Sequence, residues 1–189
     1  LSGAVSILVK SLIPSPGHIN LDFSVLLVTD SVWVNGLPVS FMHSSDILQV
    51  NISNVVEAGD IVHVKVFYHG LGKNHETSGI YNRYSSSWNK NITWTLSEPF
   101  SALNWFPCKQ DLTDKADSVY IFLSTDDDLK AGSNGVLTAE VPLPGNRVRY
   151  EWKSKFPIAY YLISLTVSDY LDYSFYVKQE EGTDSILIQ

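Results

Sequence analysis

The sequence predicts an all-β protein, an antiparallel, saddle-like sandwich of two or more sheets. Three observations favour this class. Apolar and polar residues alternate over short segments, and turn residues separate these segments roughly every 8–12 positions. No stretch of a dozen residues shows the helical period of about 3.6. The chain has 189 residues, of which 44% are hydrophobic and 17% charged, a composition typical of an ordered globular domain.

Two segments carry the clearest strand and hairpin signals. Val62, Val64, Val66 and Tyr68 alternate with other residues, as expected of a half-buried strand. Asn35-Gly36 lies between two apolar runs and is a strong short signal of a β-hairpin. The predicted strands are 21–28, 31–34, 37–41, 46–52, 62–68, 120–124, 135–141, 147–152, 160–167, 175–178 and 186–189.

Two of the predicted segments are less regular in pattern. Residues 160–167 are apolar at most positions, so we interpret them as a strand covered on both faces. Residues 70–90 are rich in Gly, Asn, Ser and Tyr without a firm period, which predicts a long loop or irregular insertion. We do not interpret this segment as a domain linker, so the sequence predicts one domain over 1–189.

Charge and cysteine content exclude several classes of function. The net charge is −7 and the 13 basic residues are scattered, which argues against binding to nucleic acid or to anionic membranes. Cys108 is the only cysteine, so an internal disulfide and a Cys-rich zinc site are excluded. We expect it to be a buried structural residue. His75-Glu76 begins a His-Glu-x-x-His motif, but Gly79 stands in place of the second histidine, so no metal site is predicted.

Aromatic side chains leave a binding function open. Trp88 and Tyr81 fall within the irregular 70–90 segment, where exposed rings could form a platform for sugars or peptides. For Trp94, Trp105 and Trp152 we favour packing in the core. A stand-alone β-sandwich that binds carbohydrate is therefore one hypothesis for the chain.

Several motifs in the second half of the sequence resemble the N-terminal domain of the M1 family of zinc aminopeptidases. They cover residues 95–175, and the first half is similar in layout only. The motifs are Ser97-Glu98-Pro99-Phe100, Trp105-Phe106-Pro107-Cys108, Lys115-Ala116, Ser133-Asn134-Gly135, Pro157-Ile158-Ala159-Tyr160-Tyr161-Leu162 and Val167-Ser168-Asp169-Tyr170.

The resemblance implies a noncatalytic domain. In the family, the zinc and the catalytic motifs lie in the following domain, and none of those motifs occurs in these 189 residues. We therefore expect no cofactor in this chain, zinc in a separate catalytic domain, and that domain as the partner. The resemblance also implies that this domain forms part of the S1 pocket, which receives the N-terminal residue of a peptide substrate. It favours, weakly, a secreted or periplasmic bacterial protein.

One residue is implied to contact the substrate. The family's Thr-Gln-x-Glu loop corresponds to Thr95-Leu96-Ser97-Glu98, so Leu96 replaces the usual Gln and Glu98 is the remaining polar candidate. A carboxylate in a cleft can bind a free α-ammonium group through a charge-assisted hydrogen bond. The sequence also departs from the family at Ala102-Leu103, where Ala-Arg is common, and at 110–112, where Asp-Glu-Pro is common. The hypotheses are thus an aminopeptidase N-terminal domain, a carbohydrate-binding module, or an enzyme in its own right.

Overall fold

The computed structural model describes residues 1–53, 55–70, 79–178 and 185–188, and over these ranges the regular structure is almost entirely β. In this part of the chain, no helix has the length and apolarity needed to cross a membrane. The strands are β1 (Ser2–Lys10), β2 (His18–Asp22), β3 (Leu27–Val34), β4 (Leu37–Val39), β5 (Phe41–Ser44), β6 (Ile47–Asn51), β7 (Ile61–Gly70), β8 (Gly79–Ser85), β9 (Lys90–Leu96), β10 (Val119–Asp126), β11 (Lys130–Ser133), β12 (Val136–Leu143), β13 (Arg147–Ser154), β14 (Leu165–Ser168), β15 (Phe175–Lys178) and β16 (Ser185–Ile188).

Two antiparallel sheets enclose the main core. The first has the strand order β1-β7-β3-β4 and the second β2-β6-β5. Strand β7 alternates as predicted, with Val62, Val64 and Val66 almost fully buried and His63 exposed between them. Leu21 and Leu48 from the second sheet are buried in the same core. Each strand therefore buries one face and leaves the other to solvent, which is the pattern that the sequence predicts.

Two further sheets enclose a smaller core. One has the order β11-β14-β9-β8 and the other β10-β13-β12. Val148, Tyr150 and Trp152 from β13 pack there with Ala131 from β11. A separate pair, β15-β16, forms a two-stranded antiparallel sheet. The predicted all-β antiparallel class is confirmed, as are both closing strands within the described residues.

The predicted hairpin at Asn35-Gly36 joins β3 to β4. Both residues have positive φ, 50° and 82°, as a tight primed turn requires. The Asn35 side-chain oxygen also accepts a hydrogen bond from the backbone N–H of His63 at 2.9 Å, which ties the turn to β7. Asparagine is therefore suited to this position both by its backbone conformation and by its side-chain amide.

Three sequence predictions are wrong in detail. The strand expected at 21–28 is interrupted after Asp22, because Val25 and Leu26 form a turn closed by a hydrogen bond from the Leu27 N–H to the Ser24 carbonyl. The irregular segment expected at 70–90 contains β8 and the start of β9, although 71–78 lie outside the described residues. The strand expected at 160–167 begins instead with a 3-10 turn over Tyr160–Leu162, and only β14 is extended and paired.

Candidate functional site

The site is the connection that follows β9, which we call the Glu98 loop (residues 97–108). It contains a short 3-10 turn at Ala102–Asn104. Glu98 is exposed, and its carboxylate forms no hydrogen bond or ion pair with any residue in the described ranges. The peptide bond between Glu98 and Pro99 is cis. The loop thus presents a charged side chain that is free to bind a cation, in a segment whose backbone is fixed on both sides.

On the N-terminal side, Ser97 anchors the loop. Ser97 is buried, and its hydroxyl accepts a hydrogen bond from the indole N–H of Trp105 at 2.8 Å. Its carbonyl accepts the backbone N–H of Ser101 at 2.9 Å. Trp105 is itself buried and packs edge-on against Phe106, with ring centroids 4.4 Å apart. The residue before Glu98 is therefore held by two hydrogen bonds in a dry environment.

On the C-terminal side, the 3-10 turn at Tyr160–Leu162 holds Pro99. The Tyr160 hydroxyl donates a hydrogen bond to the Pro99 carbonyl at 2.6 Å. Tyr160 is only 5% exposed, and burial raises the pKa of its hydroxyl, so the group stays protonated and remains a donor. Glu98 consequently lies between two residues that are each bonded to the core.

The end of the loop is attached to β2. Asp22 and Cys108 exchange two backbone hydrogen bonds, of 2.7 and 3.1 Å, and the Asp22 carboxylate accepts the backbone N–H of Gln110 at 2.8 Å. Cys108 is buried, as expected, and burial together with the nearby Asp22 carboxylate raises the pKa of its thiol. The Gln110 side-chain oxygen accepts the Leu103 N–H at 3.2 Å, so a neutral hydrogen bond holds the backbone at Leu103.

Apolar side chains surround Glu98 in the sequence and are exposed. Leu96 and Phe100 are each 55% exposed, so neither is covered by the rest of the domain. Two surface grooves, of about 600 and 680 Å³, lie near the smaller core, and neither is lined by Glu98. Glu98 thus lies on an exposed part of the surface between two partly exposed apolar side chains, outside both grooves.

The other candidates from the sequence are not brought together. Tyr81 is buried and stacks on Trp94, with ring centroids 5.1 Å apart, whereas Trp88 is 74% exposed at the β8–β9 turn. The aromatic platform proposed from Trp88 and Tyr81 is thus wrong, because Tyr81 presents no free face beside Trp88. The His75-Glu76 pair lies outside the described residues. Among the residues that the structure describes, no group of three His, Cys, Asp or Glu could hold a metal ion.

Sequence reasoning missed the residues that support Glu98. Tyr160 occurs in one of the motifs quoted above, but nothing local in the sequence shows that it bonds the loop. The Ser97-Glu98-Pro99 motif does not itself show that Ser97 is bonded to Trp105. A polar residue embedded in an apolar run, as Tyr160 is in 157–163, was the one available signal that a buried hydroxyl needs a partner.

The described residues form an all-β fold with an exposed acidic residue on the loop that follows β9. The family model of the Peptidase M1 N-terminal domain matches residues 1–162, which is most of the chain. The chain therefore belongs to this family, and the family predicted from the motifs is confirmed. Comparison with curated proteins gave no match.

Solved structures of M1 zinc metallopeptidases share the fold. The M1 zinc metallopeptidase of Deinococcus radiodurans is 17% identical, with a TM-score of 0.81 over 98% of this chain and 42% of that one. A mutant of it bound to a Tyr-Ser-Ala substrate gives 18% identity and a TM-score of 0.79 over the same shares. A two-domain mutant bound to L-arginine gives 18% and 0.80, again over 98% and 42%. The chain thus spans 42% of the length of these enzymes.

Proposed function

We propose that this chain is the noncatalytic N-terminal β-domain of a zinc aminopeptidase. In this proposal it packs on a catalytic domain that holds the zinc ion, and it forms one wall of the S1 pocket. Membership of the M1 N-terminal domain family and the fold shared with two-domain M1 metallopeptidases support this function. The single observation that carries the site is the exposed, unpaired carboxylate of Glu98 on a loop anchored on both sides.

The role that we propose for Glu98 is to bind the α-ammonium group of the substrate. An ammonium group donates charge-assisted hydrogen bonds to a carboxylate, and such bonds are about twice as strong as neutral ones. Fixing the amine also fixes which peptide bond reaches the zinc ion, since the scissile bond is one residue away. The Glu98 carboxylate alone would therefore contribute to the affinity for the substrate and also determine that the first peptide bond is the one cleaved.

The exposed apolar residues beside Glu98 fit the same proposal. Leu96 and Phe100 would each lose unfavourable contact with water on burial, by the catalytic domain or by the first side chain of the substrate. Closure by a second domain would also lower the local dielectric constant around Glu98, which strengthens its attraction for an ammonium group. The proposed partner thus improves both the packing and the electrostatics of the site.

The test uses the polypeptide that carries this domain together with the proposed catalytic domain. We expect Glu98→Gln to lower kcat/KM for aminoacyl p-nitroanilides about 10- to 150-fold, mainly by raising KM. This range is the loss of the carboxylate charge from the contact, about 1.5–3 kcal/mol, because the glutamine oxygen can still accept a hydrogen bond but only as part of a neutral group. Inhibition by an amino acid should weaken equally, whereas inhibition by its desamino analogue should not change, because only the amine contacts Glu98.

The matched control is Glu57→Gln, which makes the same change at an exposed glutamate in the connection before β7. It should leave the kinetics as they are. Unchanged kinetics in Glu98→Gln would remove Glu98 from the site. Peptidase activity of the isolated 189-residue chain would contradict the noncatalytic role itself.

A further inference from the structure

We infer that Tyr160 is a positioning residue for Glu98, acting through its hydrogen bond to the Pro99 carbonyl. This inference rests on the proposed function of Glu98 and adds the residue that fixes its location. Tyr160 and Pro99 are 61 positions apart in the chain, and the 2.6 Å bond between them connects the Glu98 loop to the 3-10 turn. No feature of the Glu98 loop's own sequence predicts this attachment.

The turn that carries Tyr160 is itself held firmly. The Asn134 side chain accepts the Ser164 N–H at 2.7 Å and donates to the Leu162 carbonyl at 3.0 Å. Thr95, at the end of β9, accepts the Leu165 N–H at 2.9 Å. The segment that follows Tyr160 is therefore bonded both to the β11–β12 turn and to β9, which fixes the position of the Tyr160 hydroxyl.

Tyr160 and Pro99 differ in burial. This difference allows an effect on the position of the Glu98 loop to be distinguished from an effect on the stability of the fold. The Tyr160 ring is buried, whereas Pro99 is exposed and the hydrogen bond between the two residues is only partly buried. In Tyr160→Phe the ring still fills its site, and water can replace the lost hydroxyl at the carbonyl. The free energy of unfolding should thus change little, while the loop around Glu98 samples a wider range of positions.

Tyr161 provides a matched control. It is adjacent to Tyr160 and its ring packs edge-on against the Tyr160 ring, with centroids 5.5 Å apart, but Tyr160 is the residue that bonds Pro99. Tyr161→Phe removes one hydroxyl from the same 3-10 turn, and within the described residues that hydroxyl makes no hydrogen bond to the Glu98 loop.

The first test needs only the 189-residue chain. Hydrogen exchange at the Ser101 and Trp105 amides, which are bonded to the Ser97 and Ala102 carbonyls, reports on the loop. We expect exchange there to quicken about two- to tenfold in Tyr160→Phe, the range of one neutral hydrogen bond, and to stay unchanged in Tyr161→Phe. Equal exchange in the two variants would overturn the inference, whatever the role of Glu98.

The second test is a double-mutant cycle in the two-domain polypeptide. Tyr160→Phe should raise KM for free-amine substrates about two- to tenfold with kcat less affected, and it should have no further effect in a Glu98→Gln background. If Glu98→Gln alone changes nothing, the proposed function fails. If Glu98→Gln weakens binding but Tyr160→Phe does not, or if the two effects multiply independently, only the positioning role fails.

Discussion

Gly79→Ala gives the sharpest test of how tightly the Glu98 loop packs on β8. Gly79 opens β8 with φ of +89°, a conformation that L-residues rarely adopt. A Cβ built there lies closer than 3.0 Å to the Ser101 carbonyl oxygen, 3.1 Å from the Asn104 Cβ and 3.2 Å from the Trp105 Cδ1. The first of these atoms is backbone, so a side-chain rotation cannot relieve the collision and either the strand or the loop must move.

Two separate effects lower the free energy of unfolding in Gly79→Ala. Placing alanine at positive φ costs about 1–2 kcal/mol. Forcing an extra methyl group into a packed contact costs about 1–3 kcal/mol more. The expected loss is therefore about 2–5 kcal/mol, a large part of the roughly 5–15 kcal/mol by which domains of this kind are stable.

Gly145→Ala separates the two costs. Gly145 lies in the β12–β13 turn with φ of +79°, and a Cβ there would meet nothing within 4 Å. Gly145→Ala should lower the free energy of unfolding only by the cost of placing alanine at positive φ, about 1–2 kcal/mol. Urea unfolding followed by tryptophan fluorescence measures both variants. Equal losses in Gly79→Ala and Gly145→Ala would show that the loop does not press on β8, and the rigid site that we describe would be refuted.

The remaining predictions concern buried groups in the Glu98 loop and in β7. Trp105→Phe should lower the free energy of unfolding by about 2–4 kcal/mol, because it removes volume and leaves the buried Ser97 hydroxyl without its donor. The double variant Trp105→Phe/Ser97→Ala should lose less than the sum of the losses in the two single variants, because both changes remove the same hydrogen bond. Burial raises the pKa values of Cys108 and Tyr68, so above about pH 9 the unfolded chain releases protons that the folded chain retains. The free energy of unfolding should therefore fall between pH 9 and 11, and Cys108→Ala should flatten the early part of that decline; a stability that is constant over this range would contradict the assignment.

The parts of the fold that sequence predicted are those with a local signal. Strand β7 alternates over one buried face, and the turn at Asn35-Gly36 needs the two residue types that accept positive φ. The buried state of Cys108 was also foreseen. The strand and the turn are determined by residues that are neighbours in the chain, whereas the burial of Cys108 follows from the usual preference of a lone cysteine.

Strands β8 and β9 escaped prediction for a physical reason. Strand β9 lies between β14 and β8, and residues 92–95 are all half-buried, so no exposed face marks the period. Their burial comes from partners far away, including Thr166, which pairs with Trp94 across the sheet. Likewise, the apolar run at 160–167 is equally compatible with a buried strand and with a 3-10 turn followed by a short strand.

The same distinction between local sequence signals and long-range partners applies to the candidate site. Glu98 stays a prediction made from a motif, whereas the residues that hold its loop are partners that no motif connects. In this chain Leu96 replaces the polar residue that would offer the amine a second contact, so in our proposal Glu98 acts alone. One charged contact fixes the distance of the ammonium group but not its direction, so the orientation must come from where the loop holds the carboxylate. The bonds from Trp105 to Ser97 and from Tyr160 to Pro99 supply that constraint, and loosening the Tyr160 bond should therefore weaken substrate binding more than it weakens the fold.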